Sequence, residues 1–235
     1  MKKTALLLFL FACLVACKNE GKKESQPTQN RELIPDHDAN PVLSTAETIA
    51  YKNGFDTWND VSELNFTFNV DRGERHFERS FKWMPQTNEV TYMSSNDTVS
   101  YQRSASLDSI YIQADQAFIN DKYWLLAPFQ LVWDEGTSIS EKESQIAPIS
   151  KDTLNMLTIV YGEEGGYTPG DAYDFYYGND FMVKEWVFRE GNQEAASMAT
   201  TFEDYEDFSG LKIAQMHKDS TGGFKLYFTN ISVKK

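Results

Sequence analysis

The sequence is short of cysteine, of histidine and of positive charge, and each shortage closes off some chemistry. Its two cysteines, Cys13 and Cys17, both stand near the N-terminus, so nothing beyond residue 17 can form a disulfide or offer a thiol. The three histidines, His37, His76 and His217, are scattered along 235 residues. No G-x-S-x-G, H-E-x-x-H or P-loop spacing occurs. Nothing sets a histidine beside a nucleophile, and all three read as solvated surface residues. Lys and Arg number 22 against 35 Asp and Glu, for a net charge of −13. That balance lacks the basic footprint of a nucleic-acid binder and opposes docking on anionic lipid heads. There is no internal repeat and no alternation of strand and helix patterns, which excludes a doubly wound nucleotide-binding sheet.

What is present begins with the N-terminus. Lys2 and Lys3 precede an apolar run, Ala5 to Val15, of eleven residues. The run is too short to cross a bilayer and has the length of a signal-peptide core. It ends in Leu14-Val15-Ala16-Cys17, which looks like a bacterial lipobox, with small residues before a cysteine that receives lipid. Residues 1–16 are therefore expected to be a lipoprotein signal peptide and Cys17 the lipidated first residue. Cleavage would remove two lysines, two fewer positive charges than at −13, leaving −15. Attachment to a membrane would then come from the lipid. One acyl chain binds marginally, whereas several hold stably.

Residues 17–42 carry the cysteine and then a polar, proline-containing stretch without apolar periodicity, the composition of a flexible tether. Its Asp36, His37 and Asp38 are either part of a metal-ligand set or solvated linker, and no rigid support is evident for a metal. Residues 43–235 are long enough for one domain with a sizeable core. Ser44-Thr45-Ala46-Glu47 is a capping box before a helix, with Gly54 as its stop. Period-two strands follow. "ELNFTFNV" alternates Leu64, Phe66, Phe68 and Val70, and "RHFERSFKW" puts Phe77, Arg79, Phe81 and Trp83 on one face. Shorter strands are expected at 90–93 and 98–103. A helical spacing over 107–126 should end before Pro128. Strand patterns then resume in "TLNMLTIVY", "DAYDFYY", "FMVKEWVF", 198–202, "LKIAQMH" and "GFKLYFTNISV". The reading is an α+β chain, mostly antiparallel β. It has about ten strands in one open, curved sheet, an N-terminal helix and an inserted helical segment.

Two stretches stand apart. "FINDKYWLLAPFQLVWDEG", residues 118–136, concentrates aromatic side chains around Pro128. "YGEEGGYTPGDAYDFYY", 161–177, carries Glu163, Glu164, Asp171 and Asp174, which could ligate calcium or simply build a turn. Paired carboxylates for glycoside cleavage are a weaker reading of the same loop. With 16 Phe, 12 Tyr and 5 Trp, one open sheet with little helix cannot bury every ring. Part of the apolar face should therefore line a groove. Arg79 would face it and need a carboxylate or loop carbonyl as partner, unless a bulge turns it outward.

Taken together, the lipobox, the polar tether, the capped helix, "LNFTFNV", "FERSFKW", "DKYWLLAPFQLVWD" and "TPGDAYDFYYGNDFMVKEWVF" resemble the LolA/LolB-like superfamily. These are bacterial lipoprotein-sorting factors and related outer-membrane lipoproteins, and the likeness covers roughly residues 44 to 233. It implies an unclosed β-barrel whose concave apolar face is covered by a helical lid, with acyl chains in the cavity of several members. On that likeness Phe66, Phe68, Phe77, Phe81, Trp83, Trp124, Leu125 and Phe129 would meet an apolar ligand, with Arg79 as the polar group. No cofactor, no metal, no nucleic acid and no catalysis are implied. The partner would be a lipid or a lipidated protein, and the chain a monomer held at the outer membrane. Cys17 departs from the soluble carriers of the family, which have no anchor, and favours an anchored receptor or local lipid binder. A scaffold lipoprotein whose barrel is filled by its own side chains is the alternative, and a hydrolase a more distant one.

Overall fold

Ser44 opens the folded part of the chain. Its Oγ accepts from Glu47 N at 3.2 Å while the Glu47 carboxylate accepts from Ser44 N at 2.7 Å, and α1 (Thr45–Lys52) follows from this reciprocal cap. Gly54, at φ +92°, leads out of α1 into a 3-10 turn, Phe55–Asp60. A Cβ at Gly54 would lie 1.9 Å from the carbonyl oxygen of Gly210, so both the backbone angle and the close approach require glycine. This computed structural model describes residues 42–103, 107–164 and 169–235, with the backbone alone for Ile110. The signal segment, Cys17 and the tether with Asp36, His37 and Asp38 lie outside the described residues.

Twelve strands are described, all pairing antiparallel, in two sheets. The larger sheet contains β1 (Glu63–Arg72), β2 (Arg75–Met84), β3 (Glu89–Met93) and β4 (Thr98–Gln102). It is completed by β10 (Glu203–Phe208), β11 (Leu211–Lys218) and β12 (Phe224–Lys234), in the order β10-β11-β12-β1-β2-β3-β4. The smaller sheet runs β5-β6-β7-β8-β9, from Thr137–Ile146, Thr153–Tyr161, Ala172–Tyr177, Val183–Arg189 and Met198–Thr201. Neither sheet closes on itself, and the fold is an unclosed α+β architecture. The chain crosses from one sheet to the other at Phe202. There Lys218 N donates to Thr201 Oγ1 at 3.1 Å and the His217 ring nitrogen Nδ1 meets Thr201 O at 3.0 Å.

Two of the twelve strands, β5 and β10, go beyond the ten readable in the sequence. Both are sheet edges, and "TSISEKESQI" and "EDYEDF" carry too little apolar alternation to announce a strand. Between β4 and β5 the chain forms α2 (Ser109–Leu125) and α3 (Ala127–Trp133). Leu126, at φ −122°, breaks the first helix, and Pro128 opens the second instead of returning the chain to strand. A proline in the first helical turn has no N–H to waste, which explains this difference from the sequence reading.

Each of the two helices contributes to two cores. Phe118, Leu125 and Phe129 join Phe66, Phe81 and Trp83 over the larger sheet. Tyr123, Ala127 and Leu131 join Leu157, Tyr173, Phe175 and Trp186 over the smaller one. Phe66, Phe81 and Phe118 are essentially inaccessible, and each such ring contributes roughly 2–3 kcal/mol by burial.

Candidate functional site

A cavity of about 560 Å³ lies between the two sheets and α2. That volume falls within the range of small-molecule sites, roughly 300–1,000 Å³. The larger sheet supplies Phe68, Val70, Phe224 and Leu226, and the smaller one Tyr173, Trp186, Phe188 and Met198. From α2 come Gln116, Ile119, Asn120, Tyr123 and Trp124, a spacing of three and four that places them on one helical face. Arg72, at the end of β1, and Asp171, just before β7, complete the lining. Exposure is graded along the cavity: Arg72, Gln116 and Asn120 are exposed, whereas Phe68, Tyr173, Trp186 and Leu226 are buried. The open end is thus polar and the closed end apolar.

Two buried ion pairs fix α2 to the larger sheet. Arg79 donates to Asp121 through Nε and a terminal nitrogen, both at 2.6 Å, with the Asp121 side chain wholly inaccessible. Burial pushes the Asp121 carboxyl up to about 6, against the pull of Arg79 and of the Asn120 amide. The guanidinium carbon of Arg79 also sits over the Phe68 and Phe77 rings, at 5.3 and 5.2 Å. Six residues earlier in α2, Asp115 accepts from Arg103 Nε at 2.6 Å and from the Tyr101 hydroxyl at 3.2 Å. Asn120, which lines the cavity, therefore belongs to the same hydrogen-bonded group as the Arg79 clamp.

The closed end is held from the smaller sheet. The Tyr161 hydroxyl donates to the Asp134 carboxylate and lies 3.0 Å from the Tyr123 hydroxyl. Burial raises the Tyr123, Tyr161 and Tyr173 phenols well above their ordinary value, so they are neutral. Trp124 packs on Trp186 at 4.4 Å and on His217 at 5.4 Å. His217 corrects the sequence reading, which took it for a solvated histidine. It is completely buried in β11, and burial depresses its imidazole to about 4. Leu211, Ile213 and His217 share one parity along β11, and that parity is the inward one. His76 does lie exposed, 2.8 Å from Asp71.

On the far side of α2, Lys122 extends over Trp133 at 5.2 Å and Trp83 at 5.9 Å, and burial lowers its amine to about 8. Its ammonium faces the larger core and not the cavity.

Of the residues that the sequence proposes for an apolar ligand, the structure brings only Phe68 and Trp124 to the cavity. Phe66, Phe81, Trp83, Leu125 and Phe129 are packed into the larger core, because α2 and α3 lie directly on that stretch of sheet. Phe77 shares the face of Phe81 and Trp83 yet is 48 % exposed, since the first half of β2 runs past the helical cover. Arg79 lies beside the site behind Phe68 and is occupied by Asp121. Among the lining residues that the sequence reading missed, Tyr173, Trp186 and Phe188 carry a period-two signal. In register Tyr173 faces Phe188 and Phe175 faces Trp186.

The acidic loop does not assemble a cation site from the residues the structure describes. Asp174 is buried and bound to Arg189 at 2.9 Å and Thr158 at 2.6 Å, and Asp171 accepts from Gly191 N at 2.8 Å. Among the described residues no three His, Cys, Asp or Glu are grouped to hold a metal ion. No described helix is long and apolar enough to cross a membrane.

No protein-family model matches the chain, and no curated protein matches it. Among solved structures it is similar to a DUF1329 family protein from Desulfovibrio piger at 8 % identity and a TM-score of 0.46, over 83 % of this chain and 94 % of that one. It is similar to a putative outer membrane lipoprotein-sorting protein domain from Vibrio parahaemolyticus at 9 % identity and a TM-score of 0.46, over 81 % and 94 %. A third, from Nitrosomonas europaea, at 9 % identity and a TM-score of 0.45 over 82 % and 95 %, is a protein of the LolA superfamily that the sequence resembles.

Proposed function

We propose that the chain is a lipoprotein of the bacterial cell envelope, anchored at the outer membrane through lipid on Cys17. In this reading residues 17–42 are the tether and 43–235 the binding domain. The domain holds an apolar ligand, a lipid or the acyl chain of a lipidated protein, and performs no chemistry on it. The observation that supports this is the cavity of about 560 Å³ with an apolar closed end and a polar open end. Among its described lining residues the one carboxylate, on Asp171, already accepts a backbone N–H, and the Tyr123 and Tyr173 phenols are held neutral.

The scaffold reading draws on a different observation. The interior over the larger sheet is filled by Phe66, Phe81, Trp83, Phe118 and Phe129, so that half needs no ligand. Native mass spectrometry of the full chain purified from membranes separates the two. A carrier retains lipid-sized mass that Trp124→Ala releases. A chain that carries no noncovalent mass beyond the lipid on Cys17 and takes up no fluorescent fatty acid is a scaffold.

A further inference from the structure

Arg72 ends a row of inward side chains. Leu64, Phe66, Phe68 and Val70 precede it at the same parity of β1, and the last two of them border the cavity together with Arg72. In register, Arg75 stands directly opposite Arg72 across the β1–β2 hairpin, so these two exposed arginines share one face. Like charges so placed destabilise a sheet, and they occur here in a chain with 35 acidic side chains against 22 basic ones. Elsewhere an acid answers each arginine of the domain: Arg79, Arg103 and Arg189 are held by aspartates at 2.6, 2.6 and 2.9 Å. Among the described residues neither Arg72 nor Arg75 makes an ion pair. What holds Arg72 is the Phe224 ring, with its centroid 5.2 Å from the guanidinium carbon. A ring occupies one face of a guanidinium and leaves the in-plane N–H fork to another partner. Gln116, which lines the same open end from α2, makes no hydrogen bond among the described residues. Asp171 stands on the smaller sheet, where it accepts from Gly191 N at 2.8 Å.

We propose that the cavity takes an amphiphile with an anionic head, a carboxylate or a phosphate. Its apolar part fills the closed end. Arg72 binds the head through the fork that Phe224 leaves free, with Arg75 beside it and the Gln116 amide donating from α2. A head of this charge relieves the repulsion between the two arginines. The acidic surface elsewhere repels such heads, so the attraction is confined to the cavity mouth. This narrows the ligand class of the function proposed above and rests on it.

The test uses the full lipid-anchored chain in phosphatidylcholine nanodiscs, with thermal unfolding followed by calorimetry. Palmitate, hexadecyl phosphate and hexadecanol share one apolar chain and differ in the head, and a ligand that binds only the folded state raises Tm. An anionic probe should raise Tm at lower content than hexadecanol, and the more effective of the two identifies the head. Arg72→Gln should require about tenfold more of that probe for the same rise, as loss of one charge-assisted hydrogen bond implies, and leave the hexadecanol curve in place. Partition into the lipid is common to parent and variant and cancels. Asp171→Asn keeps an acceptor for Gly191 N and removes the negative charge from the mouth. It should move the anion curve the other way, and it decides the matter if the glutamine variant does not fold. Hexadecanol acting at equal or lower content, or variants that move all curves alike, overturns the anion preference and leaves the carrier reading standing. Protection by none of the probes overturns both.

Discussion

Arg79 and Asp121 meet through two contacts of 2.6 Å, and this pair joins the second strand of the larger sheet to the helix that roofs the cavity. Asp121 has no access to water, so removing its partner leaves a buried carboxylate. Arg79→Ala is expected to lower stability by about 3–5 kcal/mol, and Arg79→Lys by less, because one ammonium cannot reproduce the fork. The double variant Arg79→Leu, Asp121→Leu should recover most of the loss. Urea unfolding measures all three. A single-variant loss below about 1 kcal/mol, as exposed pairs give, would place the pair outside the group of buried clamps.

His217 sets a pH dependence of known sign. Its folded value of about 4 lies below the ordinary 6.5, so the unfolded chain binds the extra proton in the window between. Stability due to neutral His217 is complete above pH 6.5 and falls as the pH drops toward 4, by roughly 3 kcal/mol in all. Asp121, raised to about 6, has the opposite sign in part of that window, so the contribution is read as a difference. His217→Asn keeps a nitrogen donor near Thr201 and cannot titrate. Subtracting its stability-versus-pH curve from the parent's should leave a fall between 6.5 and 4, and a flat difference refutes the buried neutral imidazole.

Trp124 and Phe129 stand on either side of Pro128 and should respond differently to truncation. Phe129 is 2 % exposed in the larger core, and Phe129→Ala should cost about 3–5 kcal/mol. Trp124 is only partly buried and lines the cavity, so Trp124→Ala should cost less and weaken uptake of a fluorescent fatty acid. Equal stability losses with unchanged uptake in both variants would assign the whole segment to core.

The anchor is tested at one position. Expressed in a bacterium, the chain should partition into detergent and incorporate labelled palmitate, and Cys17→Ser should abolish both. Label persisting in the serine variant contradicts the lipobox.

The legible part of this fold is the part whose strands alternate apolar and polar residues. Phe66 and Phe68 in β1, Phe81 and Trp83 in β2, and Tyr173 and Phe175 in β7 advertise their strands because aromatic residues alternate there with polar ones such as Thr67, Lys82 and Asp174. Edge strands β5 and β10 have no such contrast and leave little trace. The partner of Arg79 was foreseeable as a carboxylate on grounds of burial alone, but its identity depends on how α2 lies across β2. The same holds for the cavity. Phe66 and Phe68 both face inward and are nearly equally buried, yet only the second borders open space. That distinction depends on how far the two sheets stand apart at each level, a quantity no single strand encodes. His217 was misread for a simpler reason, its polarity being given more weight than its place in the alternation.

The pairing of β1 with β12, Glu63 opposite Lys234, sets the order in which the fold can appear. β1 lies at the centre of the larger sheet, with β12 on one side and β2 on the other. At roughly 5–20 residues per second of synthesis, β1 waits some 10–30 s for its neighbour to leave the ribosome. Until then β1 keeps one open backbone edge, although β2 to β4 and the two helices that cover Phe66 and Phe81 are made well before β12. Contacts of such long sequence separation also make for slow folding. The larger sheet is therefore completed only when the last strand has been made, and a partner that shields an open strand edge has its longest opportunity on β1.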